Sequence, residues 1–69
     1  MPFDIVEHND VEKTRIEHEL PLSFDLGQAR AAREEMAAEY EEREYNPEQD
    51  LWRVWDKNGV QRSLWVAGR

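Results

Sequence analysis

The side chains most available for chemistry are carboxylates. Residues 34–50, EEMAAEYEEREYNPEQD, carry eight acids against one base, Arg43. Like charges at this density repel and weaken the segment that bears them. They serve solubility, ion pairing with the rest of the chain, or attraction of a cationic partner. As catalysts they are poorly provided for, because acid–base work by paired carboxylates needs a cleft that drives two pKa values apart. A 69-residue chain has little room for one. His8 and His18, flanked by Glu7, Glu17 and Glu19, could meet across a hairpin, and two imidazoles with carboxylates can bind zinc or nickel. No defined ligand spacing accompanies them, and two surface histidines on a hairpin are the plainer reading. Nucleophilic catalysis needs an oriented hydroxyl or thiol over an oxyanion hole. Ser23, at a helix entrance, and Ser63, within a strand, both have structural explanations. Gly27, Gly59 and Gly68 form no phosphate loop. The expectation is a binding protein, not an enzyme, with no cofactor and no metal.

Charge narrows the class of partner. The net charge is −7, and it is unevenly placed. Fifteen acids and five bases precede Leu51, whereas one acid and four bases follow, so the first part carries −10 and the last +3. Direct binding of nucleic acid or an anionic membrane needs clustered Lys and Arg, which are missing. A basic protein surface is the compatible partner. Cysteine is absent, which suits a reducing cytoplasm, and no apolar stretch is long enough for a bilayer span or a signal-peptide core. The length predicts one compact domain over residues 1–69.

Three tryptophans are the second feature. Trp52 reads as core, while Trp55 and Trp65 fall near Arg53 on the opposite side of a terminal hairpin, where Trp and Arg are typical interface anchors. They either cover each other and Leu51 as a small second cluster or form a partner or self-association patch.

The elements that position these groups follow from periodicity. FDIVEHN is a first strand, and HNDVE a turn. KTRIEHEL alternates, with Thr14, Ile16, His18 and Leu20 on one side and Lys13, Arg15, Glu17 and Glu19 on the other. One helix is predicted over residues 23–45. Asp25 and Gln28 form its capping box, Ala29, Ala32, Met36 and Tyr40 its apolar face, and Asn46-Pro47 its end. Arg33 and Arg43 would lay their stems along that face and keep their charges wet. Residues 50–68 form a hairpin. A two-residue Asn58-Gly59 turn is one possibility; the preferred one pairs Asp56 with Val60 around a left-handed Gly59, so that Trp52, Val54, Val60, Leu64 and Val66 mostly share one face, with Arg62 as an exception. The expected fold is α+β: a four-stranded antiparallel sheet with one helix on one face, in the order ββαββ.

On such a helix, Glu34 to Glu41 and Glu35 to Glu42 repeat at about 10 Å along the axis, with Glu39 and Glu44 nearby. Glu39–Arg43 is its one well-oriented ion pair. Together with Asp4, Glu7, Asp10, Glu12, Glu17 and Glu19, these acids predict a broad negative surface able to occupy a groove that another protein reserves for phosphates. The layout TRIEHELPLS, then DLGQARAAR, then LWRVWDKNGVQRSLWVAG, resembles the small phage-encoded anti-CRISPR proteins directed at type I surveillance complexes. That resemblance covers most of the chain but carries no functional residues across. It implies a monomeric or dimeric inhibitor in the host cytoplasm that binds a Cas subunit and, with this charge, mimics DNA. The partner-binding residues expected are Glu34, Glu35, Glu39, Glu41, Glu42, Glu44, Trp55 and Trp65. The competing expectation is an acidic accessory domain whose charge keeps it in solution and whose Trp face dimerises.

Overall fold

Alternation in residues 3–9 and 14–19 builds the first hairpin of the computed structural model, which describes residues 2–69. Strands β1 (Phe3–Asn9) and β2 (Thr14–Glu19) pair antiparallel, from Asp4 opposite Glu19 to Asn9 opposite Thr14. Asn9 fixes the turn. Its side-chain carbonyl accepts from the amides of Val11 and Glu12, and its backbone carbonyl accepts from Lys13, which is left-handed at φ 61°.

Helix α1 (Leu26–Ala38) starts where the sequence places it. Asp25 accepts from the Gln28 amide at 2.8 Å and Gln28 accepts from the Asp25 amide at 2.9 Å, closing both bonds of the capping box. Its buried line is Ala29, Arg33 and Ala37, four residues apart, with Met36 beside it.

The helix ends seven residues earlier than its composition predicts. After Ala38 the chain turns, and Glu42–Asn46 forms a further strand, β3. The stretch that follows Ala38 is rich in like charge and offers a helix little side-chain support. As a strand, it sets Tyr45 opposite Trp52 and Arg43 opposite Val54 on β4 (Leu51–Trp55). β5 (Gln61–Gly68) completes a five-stranded antiparallel sheet, ordered β2-β1-β5-β4-β3. The chain order is therefore ββαβββ, with one strand more than the sequence predicts. The α+β class and the single helix stand as expected.

The last hairpin has the predicted register. Asp56 donates to Val60 at 3.2 Å, Gly59 donates back to Asp56 at 3.0 Å, and Gly59 is left-handed at φ 77°. Asp56 Oδ1 also accepts from the amides of Asn58 and Val60.

Helix α1 packs on the face that presents Ile5, Val54 and Leu64, all fully buried, with Trp52 and Tyr40 at the margin. The opposite face carries Asp4, Val6, His8, Ser63 and Trp65, set by their alternation with the core positions. Asp4, Val6 and Ser63 are buried there without a second helix. None of the described helices is long and apolar enough to cross a membrane.

Candidate acidic interface

The acids of residues 34–50 divide into two sets. The first is built around Arg33, which is 1% exposed, so its charge is not kept wet as expected. Its guanidinium donates through Nη1 to the Asp50 carbonyl at 2.8 Å and the Asp50 carboxylate at 3.0 Å. Nη2 donates to Glu34 at 3.0 Å. Arg30 and the Tyr45 hydroxyl also donate to Asp50, at 3.0 and 2.6 Å. The Trp52 indole donates to the other oxygen of Glu34. Tyr45 lies beneath the Arg33 guanidinium, 5.7 Å from ring centre to Cζ, and 5.3 Å from Trp52. Burial alone would make Arg33 easier to deprotonate, but Glu34 and Asp50 outweigh it and hold the proton more firmly. The Tyr45 hydroxyl, then Arg33, lowers the Asp50 carboxyl to about 2. Glu34 and Asp50, though partly exposed, are therefore committed to holding Arg33.

The second set is unneutralised. Among the described residues, Glu35, Glu39, Glu41, Glu42, Glu44 and Glu48 make no ion pair, and all six are exposed. Arg43 does not answer Glu39; it donates to the Tyr40 carbonyl at 2.7 Å. Elsewhere most acids are matched, Glu12 and the helix-capping Asp25 excepted. Arg62 pairs with Asp56 at 2.6 Å and lies 3.6 Å from Glu7, Arg15 meets Glu17 at 3.3 Å, and His18 meets Glu7 at 3.1 Å. Arg69 Nε sits 2.8 Å from Asp4 Oδ1, close enough for an ion pair but without the alignment of a hydrogen bond. The two histidines face different partners. His8 meets Asp10 at 2.6 Å on the side away from the helix, so the pair does not converge on a metal, and no metal-holding cluster of His and acids occurs among the described residues.

Placement separates the expected site residues. Glu34 and Glu35 ride on α1, but Glu41 lies in the turn and Glu42 in β3, so the rows at helical spacing do not form. Glu39, Glu41 and Glu42 instead gather with Tyr40, Trp55, Asp56 and one base, Lys57, around an open cleft of about 320 Å³. Burial, then nearby Glu7, raises the Tyr40 hydroxyl above its ordinary value. Glu44 stands further along β3, opposite Arg53. Trp65 is in the sheet's central strand, 6.0 Å from the His8 ring, and directly opposite Leu51. Glu35 is apart from all of these, in a shallow depression on the outer side of α1 with Phe24 and Gln28.

The sequence reading missed Asp50 and the roles of Arg33 and Asp10. Asp10 accepts from Ser63 and Gln61, both at 2.7 Å, besides its contact with His8. Burial raises its pKa, but these three partners together bring it below the ordinary carboxylate value. Ser63 thus spends its hydroxyl proton on Asp10 and is not aimed at a histidine, which argues against its use as a nucleophile. Comparison finds no match to a protein-family model, to a curated protein or to a solved structure.

Proposed function

We propose that this protein works by binding, presenting Glu39, Glu41, Glu42 and Glu44 to a Lys/Arg-lined surface on another protein. One observation carries the reading: among the described residues, Arg and His side chains meet every acid outside this segment except Glu12 and Asp25, while the six consecutive acids from Glu35 to Glu48 are exposed and unpaired. A chain selected only for its own stability would have matched these too, since each pair contributes a few tenths of a kcal/mol. Trp55 and Tyr40, beside the same acids, supply area that a partner can desolvate. In the form the anti-CRISPR resemblance implies, the cationic surface is the DNA-holding face of a Cas subunit, and the inhibitor displaces DNA from it. Trp65, already against His8, is a weaker anchor than Trp55.

The test is charge reversal. Glu39→Lys, Glu41→Lys, Glu42→Lys and Glu44→Lys combined should leave the melting temperature within a few degrees of the parent while abolishing competition with DNA for type I surveillance complexes. Steered association should also make the parent's on-rate fall steeply between low and physiological salt. Undiminished competition by the variant would end the proposal. A parent that does not compete with DNA, yet is a dimer by light scattering that Trp55→Ala and Trp65→Ala dissociate, would favour the acidic accessory domain with a dimerising Trp face and no inhibitory role.

A further inference from the structure

The unneutralised acids lie along a free sheet edge. β3 is terminal in the strand order, and Glu42 to Asn46 make no backbone hydrogen bond beyond their ladder with β4 among the described residues. An open edge offers alternate amides and carbonyls to any extended chain laid beside it. The other edge strand, β2, differs in charge, because its acids are already answered: Arg15 pairs with Glu17, and Arg69 reaches Glu19 at 3.9 Å. On β3, Glu42 and Glu44 project together from the face away from α1, while Arg43 and Tyr45 project from the other.

Their spacing selects an occupant. A second copy of β3 is a poor one. Antiparallel self-pairing about the strand's own two-fold sets Glu44 against Glu44, or Glu42 against Glu44, and like charges directly opposite are destabilising. An extended segment with Lys or Arg at alternate positions fits. Its basic residues stand opposite Glu42 and Glu44, the residue between them meets Arg43 and must not be basic, and continuation past Glu42 leads toward the cleft of Glu39, Glu41 and Trp55, whose three glutamates outnumber its one base, Lys57. We infer that the β3 edge docks an extended basic segment of the partner by strand addition, the pattern being a base, a non-basic residue and a base. This rests on the proposed binding of a cationic protein surface and names the part of that surface which is recognised.

The probe is a synthetic heptapeptide with lysines at positions 2, 4 and 6 between valines and threonines. It is compared with a permuted peptide whose lysines are consecutive, and with an analogue N-methylated along its backbone. Amide exchange and nitrogen–proton correlation spectra of the full chain provide the readout. Expected are slowed exchange of amides within residues 42–46 with the alternating peptide alone, and binding weaker by about tenfold with Glu42→Lys plus Glu44→Lys. Both positions are exposed, so the fold should tolerate the change. Equal binding of all three peptides without protection of β3 would overturn strand addition, yet leave the cationic-partner reading intact. If none of the three binds while the parent still displaces DNA from a surveillance complex, the edge is not the docking element. If competition is lost as well, both readings fall.

Discussion

Arg33 joins helix to sheet with a charge that water does not reach. Its guanidinium satisfies a carbonyl and two carboxylates, and Tyr45 and Trp52 enclose the group. Glu34 and Asp50 are partly exposed, but Arg33 itself is buried, so truncating it removes three charge-assisted hydrogen bonds and leaves a void under the helix, more costly than losing an exposed ion pair. Arg33→Ala should destabilise the fold by about 3 kcal/mol and lower the melting temperature by more than about 10 °C. Arg33→Lys should recover only part of this, because an ammonium cannot span Asp50 and Glu34 as a planar fork does. A thermal melt followed by far-ultraviolet circular dichroism measures both. Little in the local sequence marks this residue. Its partner Asp50 is 17 positions away, and an arginine amid alanines and glutamates looks like any solvated helical residue. Only the folded arrangement of α1 against the β3–β4 turn gives it a role.

At the level of elements, local chemistry was legible and competition between elements was not. Asp25 with Gln28 announced the helix start, β-branched character announced β1 and alternation β2, because each signal resides within a few residues. The hairpin between β4 and β5 was also readable, since its register follows from how Trp52, Val54 and Leu64 sort to one face. Residues 39–46 misled because glutamate and arginine are good helix formers by intrinsic propensity. Pairing of Tyr45 with Trp52 overrode that preference, and it depends on residues the segment does not contain. The candidate site divided in the same way: the acids were visible, but Glu34's capture by Arg33 and the gathering of Glu39, Glu41 and Glu42 required the early helix end. Gly59 tests the turn. A Cβ there would meet no atom within 4 Å, so only the left-handed backbone resists it. Gly59→Ala should therefore cost about 1 kcal/mol, and Gly59→Asn less, in equilibrium urea unfolding.

Across the whole molecule Arg30, Arg33, Arg62 and Arg69 are engaged with acids, while six acids from Glu35 to Glu48 are, among the described residues, displayed without a partner, and acid should expose the difference. Asp50 is held at about 2 in the folded chain, against an ordinary 3.8, chiefly by Tyr45 and Arg33. A depressed carboxyl stabilises fully above its unfolded value, and that contribution is lost as pH falls from about 4 through about 2. Allowing for partial exposure, it amounts to about 1 kcal/mol. Asp50→Asn should be less stable than the parent at pH 7 and should show a flatter decline over that window in acid titrations of urea midpoints. Above pH 5 the two should run parallel.

The strand order has one more implication. β5 is the middle of the sheet although it is the last strand in the sequence, and it is hydrogen-bonded to both β1 and β4. On a ribosome, the β1–β2 and β3–β4 hairpins therefore emerge before the strand that hydrogen-bonds to both, and until residues 61–68 clear the exit tunnel only α1 can link them. Until then the nascent chain consists of two small, fraying ribbons. Commitment to the fold is a late, nearly all-or-none event made by the final strand.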